Sequence, residues 1–330
     1  MSKQESLRFM KEKKMNHLKL KKLVLIFVMT MLVLVGCNKE EGAANDESNG
    51  ITVITTFYPV FEFTSQVVGE NGTVSSLLSA GQDSHSYEPT PKDLAAIAEA
   101  DVFIYSSEYM ETWVPDVLST LEDSDVLVIE AAEDIPFYEN VEEAHNHEHE
   151  EEHEHNHAVD PHVWLDPVFA QEMVSKIATE LSSLDNENAG SYEINANEYK
   201  QKLQQLNDDY ETAFSSAEHR IFVVQHAAFG YLARRYQLEE LAVSSLTSGQ
   251  EVSPSKMAEI GTFIKENEVK AIYYQDSANS KIAETLASET DVDLEVLSAL
   301  EGITESDQEQ GIDYLYVMKE NLEALKKTIR

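Results

Sequence analysis

The chain has 330 residues, of which 42% are hydrophobic and 26% are charged, and its formal net charge is −37 at pH 7. This length suggests two domains of ordinary size. Nucleic acid phosphates and anionic lipid headgroups are bound by clustered Lys and Arg, so this charge argues against both and favours cations as ligands. With a single Cys there is no internal disulfide and no zinc ribbon, and any metal must be held by His and carboxylate side chains.

The first 36 residues have the pattern of a secretion signal. Eight Lys or Arg and two Glu precede residue 23, and an apolar run follows over residues 23–35. The run is shorter than the roughly 20 residues that a membrane-spanning helix needs. It ends in Leu34-Val35-Gly36-Cys37, which resembles a bacterial lipobox. We therefore expect cleavage before Cys37 and lipid on its sulfur; an uncleaved anchor is the alternative.

Residues 37–50 are polar and predict a flexible tether. From Ile51 onward, β-branched or aromatic segments alternate with helical patterns. Eight predicted strands follow in chain order: ITVITTF, TVSSLL, DVFIYS and DVLVIE before residue 131, then RIFVVQ, LAVSSL, KAIYYQ and LEVLS after residue 219. Strands separated by helices favour parallel βαβ units, so the sequence predicts an α/β fold with four strands in each half.

Three helix starts are marked by a capping residue and a proline, at Thr90-Pro91, Asp166-Pro167 and Ser253-Pro254. Between the two sets of strands, large apolar residues from Tyr192 to Phe214 recur at intervals of three, four or seven. This spacing predicts one amphipathic helix over residues 187–217, about 45 Å long. Such a helix is long enough to span both halves of the molecule.

Six of the 11 His fall in the segment HNHEHEEEHEHNH: His145, His147, His149, His153, His155 and His157. The segment has no apolar residue, which predicts a solvated loop over residues 142–157. It contains two HExxH matches, a pattern typical of zinc proteases, but alternating His and Glu produces such matches by composition alone. We interpret the loop as a weak, exchangeable site for divalent metal; a solvated linker is the alternative.

Three other His lie in loops at or beyond the carboxyl ends of predicted strands, where open α/β sheets bind ligands. His85 follows the second strand, His162 precedes a capped helix, and His226 directly follows the fifth strand. By contrast, His17 belongs to the signal, and His219 is expected at the surface, at a helix-to-strand junction.

The sequences around these His resemble the metal-binding solute receptors of bacterial ABC importers (cluster A-I), which take zinc, manganese or iron. The resemblance rests on GQDSHSYEPTPKDL, DPHVWLDP, VVQHAAFGYLARRY and IYYQDSANSKIAETLASETDVDLEVLSALEG, which occur in the family's order. It covers residues 51–330 and implies two (β/α)4 lobes, with four-stranded parallel sheets, joined by a long rigid helix. The implied boundaries are 51–186 for the N-terminal lobe, 187–217 for the linking helix and 218–330 for the C-terminal lobe.

The resemblance also implies one metal ion in the cleft, held by His85 and His162 from the first lobe and by His226 and Glu301 from the second. For the fourth position, a residue near Gln275-Asp276 or a water is the alternative. Three imidazoles and one carboxylate suit zinc, whereas manganese prefers more oxygen ligands. Manganese-type relatives have a carboxylate at the position of His226, and zinc members of the family commonly carry a His-rich insert like residues 145–157.

We therefore expect a lipid-anchored, extracytoplasmic zinc receptor that delivers Zn(II) to an ABC transporter permease, acts as a monomer and is not an enzyme. The alternatives are a manganese or iron receptor of the same fold, a surface adhesin with a structural metal, and a zinc hydrolase. A hydrolase needs an open coordination position, which a closed set of four ligands does not leave. Four acids lie near the ligands in sequence and are candidates to orient the imidazoles: Asp83, Glu88, Asp160 and Asp166.

Overall fold

The structure is a computed structural model that describes residues 50–79, 82–122, 124–138, 159–244, 246, 252–275 and 280–330. The predicted signal, Cys37, nearly all of the tether and the His-rich segment 142–157 lie outside the described residues. Residues Ser48–Arg330 belong to one compact unit.

The first sheet is built from the four strands that precede residue 131. They are β1 (Ile51–Thr55), β2 (Gly72–Ser76), β3 (Val102–Tyr105) and β4 (Leu127–Glu130). The order is β2-β1-β3-β4, and every neighbouring pair is parallel. Val53 pairs with both Val74 and Val102, and Val53 and Val102 are fully buried. The β-branched residues that predict these strands thus form the interior of the sheet.

The second sheet repeats this arrangement in the other half of the chain. Its strands are β5 (Ile221–His226), β6 (Glu239–Ser244), β7 (Ala271–Tyr274) and β8 (Asp293–Val296). They are parallel throughout, in the order β6-β5-β7-β8. The predicted α/β fold with two four-stranded parallel sheets is confirmed. One detail was wrong: His226 does not follow β5 but is its last residue, because its backbone pairs with Ser244.

The helices that connect and cover the strands are α1 (Tyr58–Val68), α2 (Pro91–Glu99), α3 (Val114–Thr120), α4 (Pro167–Leu184), α5 (Ala189–Phe214), α6 (Gly230–Arg235), α7 (Pro254–Glu266), α8 (Lys281–Thr290), α9 (Glu305–Glu309) and α10 (Tyr314–Leu325). The three predicted starts are confirmed. The side chains of Thr90, Asp166 and Ser253 each accept a hydrogen bond from a backbone N–H in the first turn of their helix. Among the described residues, no helix is both long and apolar enough to cross a bilayer.

Helix α5 is the predicted linking helix, and its 26 residues give it a length of about 39 Å. It is shorter than the predicted span 187–217. Its Asn195 amide donates to the carbonyl of Val67 in α1, and its Tyr210 hydroxyl donates to the carbonyl of Met318 in α10. Helix α5 therefore contacts helices from both the first and the second half of the chain. The boundaries of the two lobes, 51–186 and 218–330, stay predictions.

One large buried cluster joins the two halves. It includes Val53 of the first sheet, Trp164, Tyr199 of α5, Phe222 of the second sheet and Tyr314 of α10, all nearly inaccessible to solvent. Two smaller clusters lie elsewhere, one in each half. Because burial of apolar surface is the main favourable term in folding, the shared cluster fixes the two sheets against each other.

Candidate metal centre

Four side chains that are far apart in sequence meet where the loops of the two sheets come together. Among the described residues, His85, His162, His226 and Glu301 form one group in which one ligand atom of each lies within 4.8 Å of the others. The group takes two residues from each half of the chain. The side chains of the three His are at most 9% exposed, and that of Glu301 is 13% exposed.

The spacing of these atoms matches a tetrahedral coordination shell. Oε1 of Glu301 lies 3.3 Å from Nε2 of His85 and of His226, and 3.5 Å from Nε2 of His162. Nε2 of His162 lies 3.3 Å from the same atom of each other His. In a tetrahedron the centre lies about 0.61 of an edge from each corner, here about 2.0 Å, which is the usual zinc to imidazole distance. Five of the six separations are thus those of a tetrahedron whose centre lies at zinc-bonding distance from its corners.

His162 is held by the segment 159–166, which we call the His162 arm. The side chain of Asp160 accepts two hydrogen bonds from this His, from its backbone N–H at 3.0 Å and from Nδ1 at 2.8 Å. A proton held on Nδ1 leaves the lone pair of Nε2 directed into the group of four. The arm continues as a short 3-10 helix, Val163–Leu165, and its residues from Asp160 to Asp166 are buried.

The second half of the chain approaches Asp160 closely. The Tyr231 hydroxyl donates to the Asp160 carbonyl at 2.8 Å. A Cβ atom on Gly230 would lie 2.7 Å from Oδ2 of Asp160, so only glycine allows this carboxylate its position. Gly230 and Tyr231 of the second half of the chain therefore hold the acid that orients His162.

His85 is held differently, on the loop segment 82–90, which we call the His85 arm. The Asp83 carboxylate accepts from the backbone N–H of His85 at 3.0 Å and from the Ser86 hydroxyl at 2.9 Å. Both Asp83 and Ser86 are exposed. Ser84 is buried, and its hydroxyl donates to Oε2 of Glu301 at 3.4 Å. This serine is a site residue that sequence reasoning missed, and its position beside His85 was the signal available.

The ionisation of the group follows from its burial and contacts. Burial raises the pKa of Glu301, but contacts with the three imidazoles outweigh it and hold that pKa well below its usual range. Burial lowers the pKa of His162, yet its contacts with Asp160 and Glu301 prevail and raise it to about 9. Burial lowers the pKa of His226. In the metal-free group the Glu301 carboxylate is therefore anionic and pairs with a protonated His162, whose proton a bound cation would displace.

The other predicted residues have different roles or lie elsewhere. Of the four candidate acids, Asp160 contacts an imidazole side chain, whereas Asp166 caps α4 and pairs with Arg235 at 2.7 Å. Glu88 is exposed.

His219 is half-buried and far from the group in the fold. It exchanges backbone hydrogen bonds with Arg330, just before β5. Gln275 is buried, and Asp276, Cys37 and the six His of residues 145–157 lie outside the described residues.

Two parallel α/β halves with a cluster of three His and one Glu between them define a two-lobed metal-binding protein. The chain belongs to the ZnuA family, described as the periplasmic component A of a zinc-uptake complex, whose profile matches residues 53–328. This agrees with the resemblance noted in the sequence.

Individual relatives carry matching names. The chain is 44% identical over 299 residues to the high-affinity zinc uptake system protein ZnuA of Bacillus subtilis, covering 91% of this chain and 94% of that protein. It is 41% identical over 305 residues to the zinc-binding lipoprotein AdcA of Streptococcus pneumoniae, covering 92% of this chain but only 60% of AdcA. A crystal structure of the Zn(II)-bound ZnuA-like domain of AdcA aligns with a TM-score of 0.74 at 40% identity, covering 84% of this chain and 98% of that domain.

Proposed function

We propose that this protein is an extracytoplasmic receptor that binds one Zn(II) ion with high affinity and delivers it to an ABC importer. The observation that carries the proposal is the cluster of three imidazole nitrogens and one carboxylate oxygen, in which five of the six separations are 3.3–3.5 Å. The names of the relatives support it. We assign His85, His162, His226 and Glu301 as the zinc ligands.

The donor set favours zinc over manganese or iron. Zinc is a borderline-soft ion that accepts four-coordinate shells rich in imidazole, whereas manganese prefers a larger share of oxygen donors. This chain has His226 at the position where the manganese-type relatives have a carboxylate, so its group contains only one carboxylate, that of Glu301. A metal ion competes with a proton for Nε2 of an imidazole, so zinc binding weakens in acid.

Binding rather than chemistry is the proposed outcome. A catalytic zinc keeps one coordination position open for water or substrate. Here four protein atoms surround the ion, which leaves no such position in a tetrahedral shell. We therefore expect no hydrolase activity.

We propose that the mature chain begins at Cys37, carries lipid there, works as a monomer outside the cytoplasm and presents zinc to a membrane permease. The support is the lipobox Leu34-Val35-Gly36-Cys37 and the lipoprotein name of AdcA. Replacing Cys37 by Ser is expected to release the protein from the membrane fraction. Wild-type protein found entirely in the soluble fraction would contradict the anchor.

We propose a secondary role for the His-rich segment. His145, His147, His149, His153, His155 and His157 lie among Glu residues. Their imidazoles bind extra zinc weakly, since a sequence without an apolar residue predicts no packed cage to hold the ligands in place. Deleting residues 142–157 is expected to lower the zinc stoichiometry at neutral pH and to leave the tightest site unchanged. Loss of the tight site would mean that this segment carries a primary ligand.

The test of function is a competition titration with zinc, manganese and iron on the chain that lacks residues 142–157. We expect one tight Zn(II) site per molecule and much weaker manganese binding, a difference to be judged against the general rise in affinity from manganese to zinc. In cells, loss of the protein is expected to cause a growth defect that added zinc cures, which a structural metal in an adhesin does not predict. Preferential manganese binding would overturn the proposal.

A further inference from the structure

The backbone that presents Glu301 is strained. Leu300, the residue before Glu301, has φ = +58°. This value lies in the left-handed region, which residues other than glycine and asparagine rarely adopt. Leu300 is 1% exposed, so it is not in a free surface turn. A non-glycine residue persists in this conformation only where its surroundings hold it there. The contacts that hold residues 298–301, which we call the Glu301 arm, therefore decide where Glu301 points.

Most of those contacts come from the same half of the chain. Asn321 of α10 brackets Ser298, accepting from its backbone N–H at 2.9 Å and donating to its carbonyl at 2.8 Å. The Leu300 N–H donates to the Ser298 hydroxyl at 3.2 Å. These bonds fix the beginning of the Glu301 arm and leave the Ala299 carbonyl, two residues before Glu301, for a partner from elsewhere.

That partner is Trp164 of the His162 arm. Its indole N–H donates to the Ala299 carbonyl at 2.8 Å, joining residues 135 positions apart. Trp164 is fully buried, and its ring lies 5.2 Å from the His162 ring and 4.9 Å from the Phe57 ring, between centroids. Its own carbonyl accepts from the Tyr314 hydroxyl at 2.6 Å. One rigid side chain thus contacts His162 and holds the strained arm of Glu301.

We propose that Trp164 is a positioning residue for the metal centre: its bond to Ala299 sets Glu301 relative to His162. This inference rests on the proposed function, because it names a determinant of zinc affinity at the same site. The bond joins a ligand arm from the first half of the chain to one from the second. Without it, the left-handed turn at Leu300 relaxes and the carboxylate no longer completes the tetrahedron.

The test replaces Trp164 by Phe, which keeps an aromatic ring against Phe57 and His162 but has no N–H. The matched control is Tyr210→Phe, which also deletes one buried donor to a backbone carbonyl, that of Met318, away from the four ligands. Both variants lose the hydrogen bond, and Trp164→Phe is expected to lose more stability because the smaller ring also leaves a cavity, so zinc binding is compared under conditions where both variants are fully folded. Only Trp164→Phe is expected to weaken Zn(II) binding, by about tenfold or more. When Co(II) replaces Zn(II) as the probe, the d–d absorption of Trp164→Phe is expected to lose the intensity typical of a tetrahedral site, and that of Tyr210→Phe is expected to keep it.

A Trp164→Phe variant with the zinc affinity and Co(II) spectrum of the control would overturn the proposal and leave a purely structural tryptophan. Failure of the wild-type protein to bind zinc would instead refute the proposed function, so the two failures are distinguishable.

A second measurement needs no variant at position 164. Coupling between two events is reciprocal, so if the indole bond favours zinc, zinc must favour the indole bond. The chain has two Trp, and a Trp113→Phe variant assigns the two indole N–H signals in an NMR spectrum. Zinc is expected to slow hydrogen exchange of the Trp164 N–H by about tenfold, matching the affinity effect. Exchange that zinc leaves unchanged would contradict the positioning role even if Trp164→Phe does not fold.

Discussion

The His162 arm and the His85 arm carry the same kind of ligand on very different supports. His162 is fully buried, its ring is oriented by Asp160, and its neighbours Trp164 and Asp166 bond to the other half of the chain. His85 is on a loop, where exposed Asp83 provides local backbone contacts. The His162 arm is therefore positioned by contacts of the folded chain, whereas the His85 arm has mainly local contacts. Zinc binding should therefore order the His85 arm more than the His162 arm.

The largest expected effect is the loss of zinc affinity when a His ligand of either arm is replaced by Ala. Structural zinc sites bind with about 10–16 kcal/mol in total, or about 2.5–4 kcal/mol for each of four ligands, so His162→Ala or His226→Ala should weaken zinc binding by roughly 70-fold to 1,000-fold. His85→Ala should cost less, because His85 is the most exposed of the three His and water can take the place of its imidazole. Competition with a chromophoric chelator, in chains lacking residues 142–157, measures all three.

The control for this series is His219→Ala, which removes an imidazole outside the metal group and is expected to leave zinc affinity unchanged. An unchanged affinity in His226→Ala would rule out the four-ligand site. Equal losses for His85→Ala and His162→Ala would show that the two arms do not differ in how they support the metal.

The second effect concerns the base of the His85 arm and depends on pH. Glu111 is buried and accepts from the Thr56 hydroxyl and from the backbone N–H of Ser106 and Ser107. The Thr56 carbonyl in turn accepts from the N–H of Leu78, at the start of the chain segment that leads to His85. Burial raises the pKa of Glu111 to about 7, despite these hydrogen bonds. The folded protein therefore binds a proton here that the unfolded chain has already released.

The sign of the pH effect follows from that raised pKa. Stability from the protonated form is complete below the ordinary Glu pKa of 4.5 and is lost as pH rises toward about 7. The loss is about 3 kcal/mol. In metal-free protein, denaturation of wild type and Glu111→Gln between pH 4.5 and 8 should show the variant gaining relative stability by this amount. Parallel curves for the two proteins would show that Glu111 does not titrate in this range.

The third effect tests how the His162 arm orients its ligand. Asp160→Asn keeps the shape of the side chain but removes the charge that holds the Nδ1 proton of His162. Loss of such an orienting contact typically costs 10–100-fold in metal affinity, and we expect a loss in that range. Asp166→Asn is the comparison, since it weakens the bond of the same arm to Arg235 without removing a contact to an imidazole, and its effect on zinc binding should be the smaller of the two. A change below threefold in Asp160→Asn would mean that folding fixes the ring without its acid.

Features of the structure that depend on a few neighbouring residues could be predicted from the sequence, whereas those that depend on contacts between distant segments could not. The strands and three helix starts follow from local rules, because β-branched runs and cap-then-proline pairs act over a few residues. The four clustered side chains followed from the family resemblance. The choice of Asp160 among four nearby acids depends on loop conformation, which no local rule determines. The left-handed turn at Leu300 runs against the preference of leucine, and the Trp164 bond to Ala299 joins distant segments, so neither has a local signal.

The smallest expected effect lies on the His85 arm, where Ser84 is the counterpart of Asp160. Its hydroxyl donates to Oε2 of Glu301, the oxygen that does not face the three imidazoles at the shortest distances. At 3.4 Å the bond is long, and a weak neutral donor to a carboxylate contributes about 0.5–1 kcal/mol. Ser84→Ala should therefore weaken zinc binding by only about two- to fivefold. Thr90→Ala, which removes a helix cap on the same arm, is the control for loss of loop structure. A loss in Ser84→Ala as large as that in Asp160→Asn would mean that the His85 arm orients its neighbours as strongly as the buried arm does.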